Sequence, residues 1–274
     1  MIDLLVIGNP TIDYIEGEFF GPGGPVTYIS NSLAQLGQNK IDIVTSFGKD
    51  FSEENFPDCK NLLNIKSDHT NIFDFFFISE IRRMNVIHGG KKIKLSDIKI
   101  KKEPNLIFIS PVLNEFSIDK TKQLMEKFKS SFFIGIPQGW IRKVIGEEVK
   151  FDFSGFEQFP RFDILFFSDE ELSNSRNSLE KLRKLSNILV ITRGDRGVSV
   201  YEKDEILNFP SVKVDSVNSI GAGDIFATVF SIKYYQLKNK SLAAKFANQI
   251  AAHSTRYEGL KSINPESFYK SMKK

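Results

Sequence analysis

Short apolar runs alternate with helical patterns along most of the chain, and this alternation indicates the architecture. The runs have the length and continuous apolar character of buried strands, and they cover Leu4–Ile7, Ile41–Ser46, Asn105–Ser110, Phe132–Ile136, Ile164–Phe167 and Ile188–Thr192. The helical patterns between them cover Val26–Leu36, Asp119–Lys129 and Asp169–Leu185. Strands that alternate with helices favour a mostly parallel sheet with helices on both faces. We therefore predict the α/β fold class.

One segment departs from this alternation. Two strand-like runs, Asn71–Ser79 and Arg83–His88, are followed by a glycine turn and the short run Lys91–Leu95. Such a β-rich piece predicts antiparallel strands or a partial cover over a cleft. We therefore treat residues 71–95 as a candidate β cover.

The last part of the chain has a helical pattern. It covers Asp224–Tyr235, Leu242–Tyr257 and a short stretch after Pro265. No internal repeat or low-complexity linker marks a boundary between domains. We therefore predict a single domain over residues 1–274.

Composition and charge exclude several classes of protein. The net charge is only +3 and the basic residues are scattered, whereas a nucleic-acid-binding protein usually concentrates positive charge on one face. A single cysteine, Cys59, and three histidines far apart in sequence exclude a disulfide framework and disfavour a cysteine or histidine metal centre. No apolar run approaches the roughly 20 residues that span a bilayer. We expect a cytoplasmic protein that binds neither nucleic acid nor membranes.

The most informative local string is Gly221-Ala222-Gly223-Asp224, which stands directly before a predicted helix. Small residues at such a bend leave backbone N–H groups open, and the N-terminus of a helix attracts anions. Because the charge of Asp224 would oppose a bound phosphate, this aspartate fits a base that takes a proton from an attacking hydroxyl. The alternative is an aspartate that caps a helix after a glycine-rich turn.

Other polar residues follow the predicted strands. In an open α/β sheet, ligands bind at the carboxyl ends of the strands. The residues at those ends are Asn9 and Asp13, the glycines of Gly21–Gly24, Gln138 and Arg142, Glu170 and Glu171, and Arg193–Asp195. Their common position predicts one polar cleft.

Two glycine-rich stretches, about 200 residues apart, carry a resemblance to a known family. Gly21–Tyr28 is similar to a di-glycine substrate signature, and Asn218–Asp224 is similar to a D-T/P-T-G-A-G-D signature. Val44–Phe51 and Ala247–Ala252 also have the family pattern. In this order they resemble the ribokinase-like, or PfkB, carbohydrate kinases. The resemblance implies a three-layer α/β/α ribokinase-like fold that transfers the γ-phosphate of ATP to an alcohol group of a small sugar or polyol.

The resemblance also implies roles for individual residues. Asp224 corresponds to the catalytic base, and the anion hole for the transferring phosphoryl group corresponds to the backbone of Gly221, Ala222 and Gly223. The substrate would be bound by Asp13 and approached by the backbone of Gly23 and Gly24. The nucleotide would lie against Thr192, Arg193, Gly194, Gly197, Asn218 and Asn248.

The chain departs from the family at three places. Ser168-Asp169-Glu170-Glu171 stands where an N-x-x-E motif is usual, so Glu171 would organise Mg²⁺ through water; the alternative is an acidic first turn of a helix. Asn218 replaces the usual aspartate and removes a charge near the nucleotide. The short gap between Asp13 and Gly21 predicts a reduced or absent β lid. A lid-swapped dimer is then disfavoured, and a monomer or homodimer is expected.

Two further stretches favour a particular acceptor. Ser110–Glu115 and Ile136–Arg142 resemble the GPV..E and D-x-Q-G-x-x-R stretches of myo-inositol kinases. Hydrogen bonds to such a polyol would come from Asp13, Asn114, Gln138 and Arg142. Pro137 stands where an aspartate is usual, so a nucleoside or a ribose- or fructose-type sugar remains the alternative. A catalytically weak nucleotide-binding regulator is less favoured, because Asp224 is retained.

Overall fold

The structure is a computed structural model that describes residues 2–79, 81–172 and 178–269. Its strands are β1 Leu4–Ile7, β2 Thr11–Ile15, β3 Glu18–Gly23, β4 Ile41–Thr45, β5 Asn61–Asn64, β6 Asn71–Ile78, β7 Ile81–His88, β8 Leu106–Ile109, β9 Phe132–Gly135, β10 Arg142–Ile145, β11 Glu148–Phe151, β12 Phe162–Ser168, β13 Ser186–Thr192, β14 Val198–Glu202 and β15 Glu205–Phe209. Its helices are α1 Pro25–Gln35, α2 Ile118–Lys127, α3 Gln138–Ile141, α4 Asp169–Leu172, α5 Ser178–Lys184, α6 Ala222–Leu237, α7 Lys240–Ser254 and α8 Pro265–Tyr269.

The central sheet has nine strands in the order β15-β14-β13-β12-β9-β8-β1-β4-β5. Its pairs are parallel from β5 to β13, and only β14 and β15 run antiparallel at one edge. The predicted mostly parallel sheet is therefore confirmed. The antiparallel edge was not predicted, since β14 contains serine and glutamate and β15 is largely exposed, so neither strand is a continuous apolar run.

Helices cover both faces of this sheet, because alternate residues of a strand point to opposite sides. In β1, Leu4 and Val6 pack in one core cluster with residues of α1, α6 and α7. Leu5 and Ile7 pack in a second cluster with residues of α2 and α5. Both faces of the strand are thus buried, which explains why it is a continuous apolar run. The result is the three-layer α/β/α arrangement.

A second sheet of six strands, in the order β10-β11-β7-β6-β2-β3, corrects the prediction of a reduced or absent lid. Two strands nevertheless span the short gap between Asp13 and Gly21, because the hairpin from β2 to β3 turns in only two residues. Glu16 and Gly17 both have positive φ, 52° and 82°, which is the conformation of the tightest hairpin turns. The remaining strands come from 71–88 and from 142–151, so the lid is assembled from separated segments.

Two other boundaries differ from the predictions. The predicted helix Asp169–Leu185 is present as α4 and α5, and residues 173–177 between them lie outside the described residues. The predicted run Lys91–Leu95 is not a strand and crosses from the lid to the central sheet. No helix within the described ranges is long and apolar enough to cross a membrane.

Candidate active site

A cleft of about 1160 Å³ lies between the carboxyl ends of the central strands and the six-stranded sheet. Most of the predicted site residues line it together: Asp13, Gly24, Gln138, Arg142, Glu171, Thr192, Arg193, Gly194, Gly197, Gly221, Ala222, Gly223, Asp224 and Asn248. Five residues that the sequence placed at this cleft do not line it, namely Asn9, Gly21, Gly23, Asn114 and Asn218. The fold therefore brings residues from the N-terminal and C-terminal parts of the chain together in one cavity.

Asp224 lies in the first turn of α6, with 8% of its surface exposed. Among the described residues its Oδ1 atom has no hydrogen-bond partner. Burial raises its pKa to about 7; the charge of Arg142 opposes this rise, whereas those of Glu171 and Asp13 add to it. A base whose pKa is near neutrality suits proton transfer. The alternative of a helix-capping aspartate is wrong, because Gly221 occupies the cap position and Asp224 lies inside the helix.

The loop before α6 needs a glycine at one position only. Gly221 has φ 81°, and a Cβ atom there would lie 2.2 Å from the ring of Tyr28. A Cβ atom at Gly223 would meet nothing within 4 Å. The N–H of Ala222 donates to the carbonyl of Ser219 at 3.2 Å, so this donor is already used inside the loop. Within the described residues, the open donors of the predicted anion hole are therefore the N–H groups of Gly221 and Gly223.

Tyr28 is a site residue to which the sequence assigned no role. It lies on α1, lines the cleft, and only 1% of its surface is exposed. Burial and the negative charges of Asp13 and Asp224 raise the pKa of its hydroxyl, so Tyr28 stays protonated. Its hydroxyl has no partner among the described residues. The signal that could have found it is its place in the di-glycine stretch, four residues after Gly24.

The two glycines of that stretch have different tasks. A Cβ atom at Gly23 would lie 2.0 Å from Oδ2 of Asp13, so this glycine makes room for the Asp13 carboxylate. Gly24 has φ 85° and forms the N-cap of α1. Gly23 is thus covered by Asp13, contrary to the prediction that its backbone approaches the substrate.

Gln138 and Arg142 form a fixed pair in the cleft. Nη2 of Arg142 donates to Oε1 of Gln138 at 2.8 Å, and Nη1 donates to the carbonyl of Val112 at 3.4 Å. The Arg142 guanidinium carbon also lies 5.4 Å from the ring centroid of Phe73 in the lid, a cation–π distance. The prediction that Asn114 binds the acceptor is wrong, because this residue does not line the cleft. Its backbone has φ 53°, and its carbonyl oxygen accepts a hydrogen bond from Nζ of Lys92.

Glu171 and Ser168 form a capping box at the start of α4. The Ser168 N–H donates to Oε2 of Glu171 at 2.7 Å, and the Glu171 N–H donates to Oγ of Ser168 at 3.2 Å. Burial raises the pKa of Glu171, and hydrogen bonding from Ser168 opposes that rise. No group of three metal-ligating side chains occurs in the described part of the chain. Any Mg²⁺ here would thus depend on water and phosphate oxygens as well as Glu171.

The opposite end of the cleft is built from exposed loops. Gly194 and Gly197 have φ 55° and 94°, and a Cβ atom at Gly197 would lie 2.0 Å from the carbonyl oxygen of Phe209. The Arg193 side chain donates to Ser199 and Tyr201, so it braces β14. Asn248 Nδ2 donates to the Pro210 carbonyl at 2.6 Å. These hydrogen bonds occupy groups that the sequence assigned to the nucleotide.

Asn218 shapes the neighbouring loop. Its Oδ1 accepts from the N–H of Ile220 at 2.7 Å, so the side chain turns away from the cleft. Two exposed cations, Lys213 and Arg256, line this end instead. Sequence reasoning missed both, because neither stands in a recognisable motif.

Comparisons with known proteins agree with this geometry. The pfkB family carbohydrate kinase profile matches residues 157–267. The chain is 22% identical to a putative sugar kinase of Pyrococcus horikoshii, over 94% of this chain and 88% of that protein. It is 26% identical to the cytidine kinase of Thermococcus kodakarensis, over 85% of this chain and 89% of that protein.

Solved structures extend the likeness over nearly the whole fold. A pyrophosphate-dependent kinase in the ribokinase family has a TM-score of 0.81 at 20% identity and covers 96% of this chain and 98% of its own. Ribokinase from Thermotoga maritima has a TM-score of 0.74 at 20% identity, with both chains covered completely. These structures establish the ribokinase fold. Together with the family match over residues 157–267 and the sugar kinase relatives, they support a carbohydrate kinase of the PfkB, or ribokinase-like, kind.

Proposed function

We propose that this carbohydrate kinase transfers the γ-phosphoryl group of ATP to an alcohol group of a small polyhydroxylated molecule, with Asp224 as the base. The observation that carries the proposal is the Oδ1 atom of Asp224, which is buried in the cleft and has no partner within the described residues. Its pKa of about 7 allows it to be ionised at neutral pH and to accept a proton. We also propose that residues 1–274 act as one kinase domain with the six-stranded sheet as its lid.

The proposed reaction divides the cleft into two halves. In the acceptor half, Asp13, Tyr28, Arg142 and Asp224 surround the hydroxyl that reacts. In the donor half, the 193–197 and 211–219 loops and α7 surround ATP. Asp224 takes the hydroxyl proton, the hydroxyl oxygen forms a bond to the γ-phosphorus, and the bond from that phosphorus to the bridging oxygen breaks, so that ADP leaves. The N–H groups of Gly221 and Gly223 at the positive end of α6 offset the charge on the transferring group.

We propose that Glu171 helps to hold Mg²⁺. Among the described residues, its Oε1 atom accepts no hydrogen bond, while Oε2 is used by Ser168. A carboxylate oxygen that lines the cleft beside the proposed phosphate site is a hard ligand of the kind that Mg²⁺ prefers, directly or through water. When bound, the ion would neutralise charge on the donor phosphates.

A polyol related to myo-inositol is the first candidate acceptor. Asp13, Gln138 and Arg142 provide acceptors and donors on one side of the acceptor half, as a ring with several hydroxyls requires. A kinase of similar fold, solved with a pyrophosphate analogue and myo-inositol, has a TM-score of 0.79 at 21% identity. The loss of Asn114 from the predicted set weakens this candidate by one polar group.

A nucleoside is the second candidate, and the apolar lid side chains that line the cleft favour it. Phe73, Phe75, Met84 and Phe151 line the cleft from the lid. An aromatic base would pack against these side chains, whereas hydroxyls of a polyol in contact with them would lack hydrogen-bond partners. The cytidine kinase relative is consistent with this alternative.

A donor and acceptor panel tests the proposal. ATP and pyrophosphate are each supplied with Mg²⁺ to the purified protein, together with myo-inositol, ribose, fructose or cytidine, and phosphorylated products are followed by ³¹P NMR. Pyrophosphate is included because two structural neighbours use it. Ribose and cytidine are a matched pair that differ by the base. The ratio of their kcat/KM values therefore measures how much the contacts between the base and the apolar lid side chains contribute to specificity. Absence of any phosphorylated acceptor with either donor would contradict the proposed function.

A further inference from the structure

A buried carboxylate outside the catalytic residues lies at the junction of the lid and the central sheet. Glu115 follows β8, and only 1% of its surface is exposed. Its Oε1 accepts from the N–H of Asn9 at 2.8 Å, and its Oε2 accepts from the N–H groups of Val112 and Leu113, each at 2.9 Å. A carboxylate bound to backbone N–H groups makes strong charge-assisted hydrogen bonds. Glu115 therefore holds together the loops that follow β1 and β8.

The loop that Glu115 holds supports the acceptor half directly. The carbonyl of Val112 accepts from Nη1 of Arg142, and the carbonyl of Pro111 accepts from the N–H of Gly139 at 2.8 Å. Packing is close here, since a Cβ atom at Gly139 would lie 2.6 Å from the Pro111 carbonyl carbon. A shift of residues 111–113 would thus move Gln138 and Arg142, the two groups proposed to contact the acceptor.

The same carboxylate reaches the base of the lid through Asn9. Oδ1 of Asn9 accepts from the N–H of Ser46 at 2.8 Å, and its Nδ2 donates to the carbonyl of Lys91 at 2.9 Å. Lys91 lies three residues after the end of β7, where the chain leaves the lid. On the other side, Val112 packs against Phe73 and Met84 of the lid. Glu115 is therefore linked to the lid and to Arg142 by short chains of direct contacts.

We propose that Glu115 is a positioning residue that sets Arg142 and the base of the lid in place around the acceptor. This inference rests on the proposed function, because it assigns Arg142 to acceptor binding. Glu115 does not touch the acceptor and affects it only indirectly, through the 111–113 loop. It makes no contribution to the donor half. Its loss should therefore affect the acceptor and leave the donor unaffected.

The test is Glu115→Gln, which retains the size of the side chain but places an amide group against N–H donors. We expect the KM for the acceptor to rise about tenfold, as the loss of one well-placed contact does, while the KM for the donor stays the same. In an Arg142→Ala background the same substitution should have little additional effect, because residues that act through one another are not additive. If Glu115→Gln does not fold, Glu115→Asp is the second variant, since it keeps the charge but withdraws it from the N–H groups.

The single tryptophan supplies a readout that needs no substrate. Trp140 lies between Gln138 and Arg142, and its indole N–H donates to the carbonyl of Phe116, the residue after Glu115, at 2.7 Å. We expect its fluorescence maximum to move to longer wavelength in Glu115→Gln, because a loosened loop exposes the indole to water.

A matched control is Asp42→Asn, which changes another buried carboxylate of the central sheet. Asp42 accepts from Nζ of Lys60 at 3.1 Å and is remote from the cleft. It should lower thermal stability without changing either KM or the tryptophan spectrum. An unchanged acceptor KM in folded Glu115→Gln and Glu115→Asp, or an equal change in Asp42→Asn, would overturn the inference. Absence of turnover in the unmodified protein would instead contradict the proposed function.

Discussion

The two halves of the cleft differ in how far their charged side chains are exposed to solvent. In the acceptor half, Asp13 and Asp224 are 4% and 8% exposed beneath the lid. In the donor half, Lys213, Asp215 and Arg256 are exposed to solvent. Buried charges act strongly on one another, whereas exposed charges are screened by water and salt. Under the proposed function, proton transfer would belong to the buried half, where neighbouring groups can shift a pKa, and binding of the donor phosphates to the exposed half.

Removing the proposed base, Asp224, should produce the largest effect. We expect Asp224→Asn to lower kcat by roughly a thousandfold or more, because the variant loses both the proton acceptor and its charge. The donor KM should change little. The measurement is steady-state kinetics with the donor and acceptor that the panel identifies.

Asp215→Asn is the comparison variant from the donor half, because its carboxylate lines the same cleft but is exposed. We expect its kcat to fall far less than that of Asp224→Asn. Equal losses in the two variants would show that the halves do not differ as proposed.

The same Asp224→Asn variant should be more stable than the unmodified protein at neutral and alkaline pH. Folding raises the pKa of Asp224 from 3.8 to about 7. The folded state therefore holds a proton that the unfolded state releases, so ionisation costs stability as the pH rises from about 4 to about 7. The full cost above pH 7 is on the order of 4 kcal/mol.

Chemical denaturation at several pH values measures this difference. The advantage of the variant should be near zero at about pH 4, grow up to about pH 7 and stay constant above that. An advantage that does not depend on pH would mean that burial of the charge is not its cause.

Two glycines at the start of α6, one at its N-cap and one in its first turn, provide a matched pair for stability. Gly221→Ala should lower the free energy of unfolding by about 3 kcal/mol, because the residue has positive φ and its Cβ atom would clash with Tyr28. Gly223→Ala should be neutral or stabilise the protein by up to about 1 kcal/mol, since alanine is the better helix former and its Cβ atom meets nothing. Thermal and chemical unfolding measure both. Similar losses at the two positions would contradict the described loop.

The smallest effect is expected in the donor half. Lys213→Ala should raise the donor KM by about threefold at low ionic strength, because an exposed cation attracts the phosphates only weakly. The difference should shrink as salt is added. A donor KM that rises equally at high salt would indicate a buried, direct contact instead.

The sequence predicted the central sheet well but not the lid. β1, β8, β12 and β13 are buried on both faces, so each is a continuous apolar run that can be recognised locally. The lid strands are half exposed, and one of them, β3, contains glycine and proline. Its pairing with β2 depends on the turn at Glu16 and Gly17, whose positive φ angles allow a two-residue hairpin in the short gap.

The candidate site likewise contains residues that the sequence predicted correctly and a residue that it did not. Gly221, Gly24 and Asp224 stand in short motifs whose backbone conformation is local, and the structure places them in the cleft. Asn114 was predicted from its neighbours, but its orientation depends on the positive φ of its backbone and on Lys92, which comes from another segment.

By itself, the sequence determined the alternation of strands and helices, the glycines that the loops require and the aspartate at the start of α6. These properties depend on a few consecutive residues, because backbone preferences and side-chain periodicity act over short distances. The tertiary structure alone decided the six-stranded lid, the enclosure of Asp224 with Arg142 and Glu171, and the junction at Glu115. Burial and charge interaction depend on segments far apart in the chain, so the pKa of Asp224 emerges only when those segments meet.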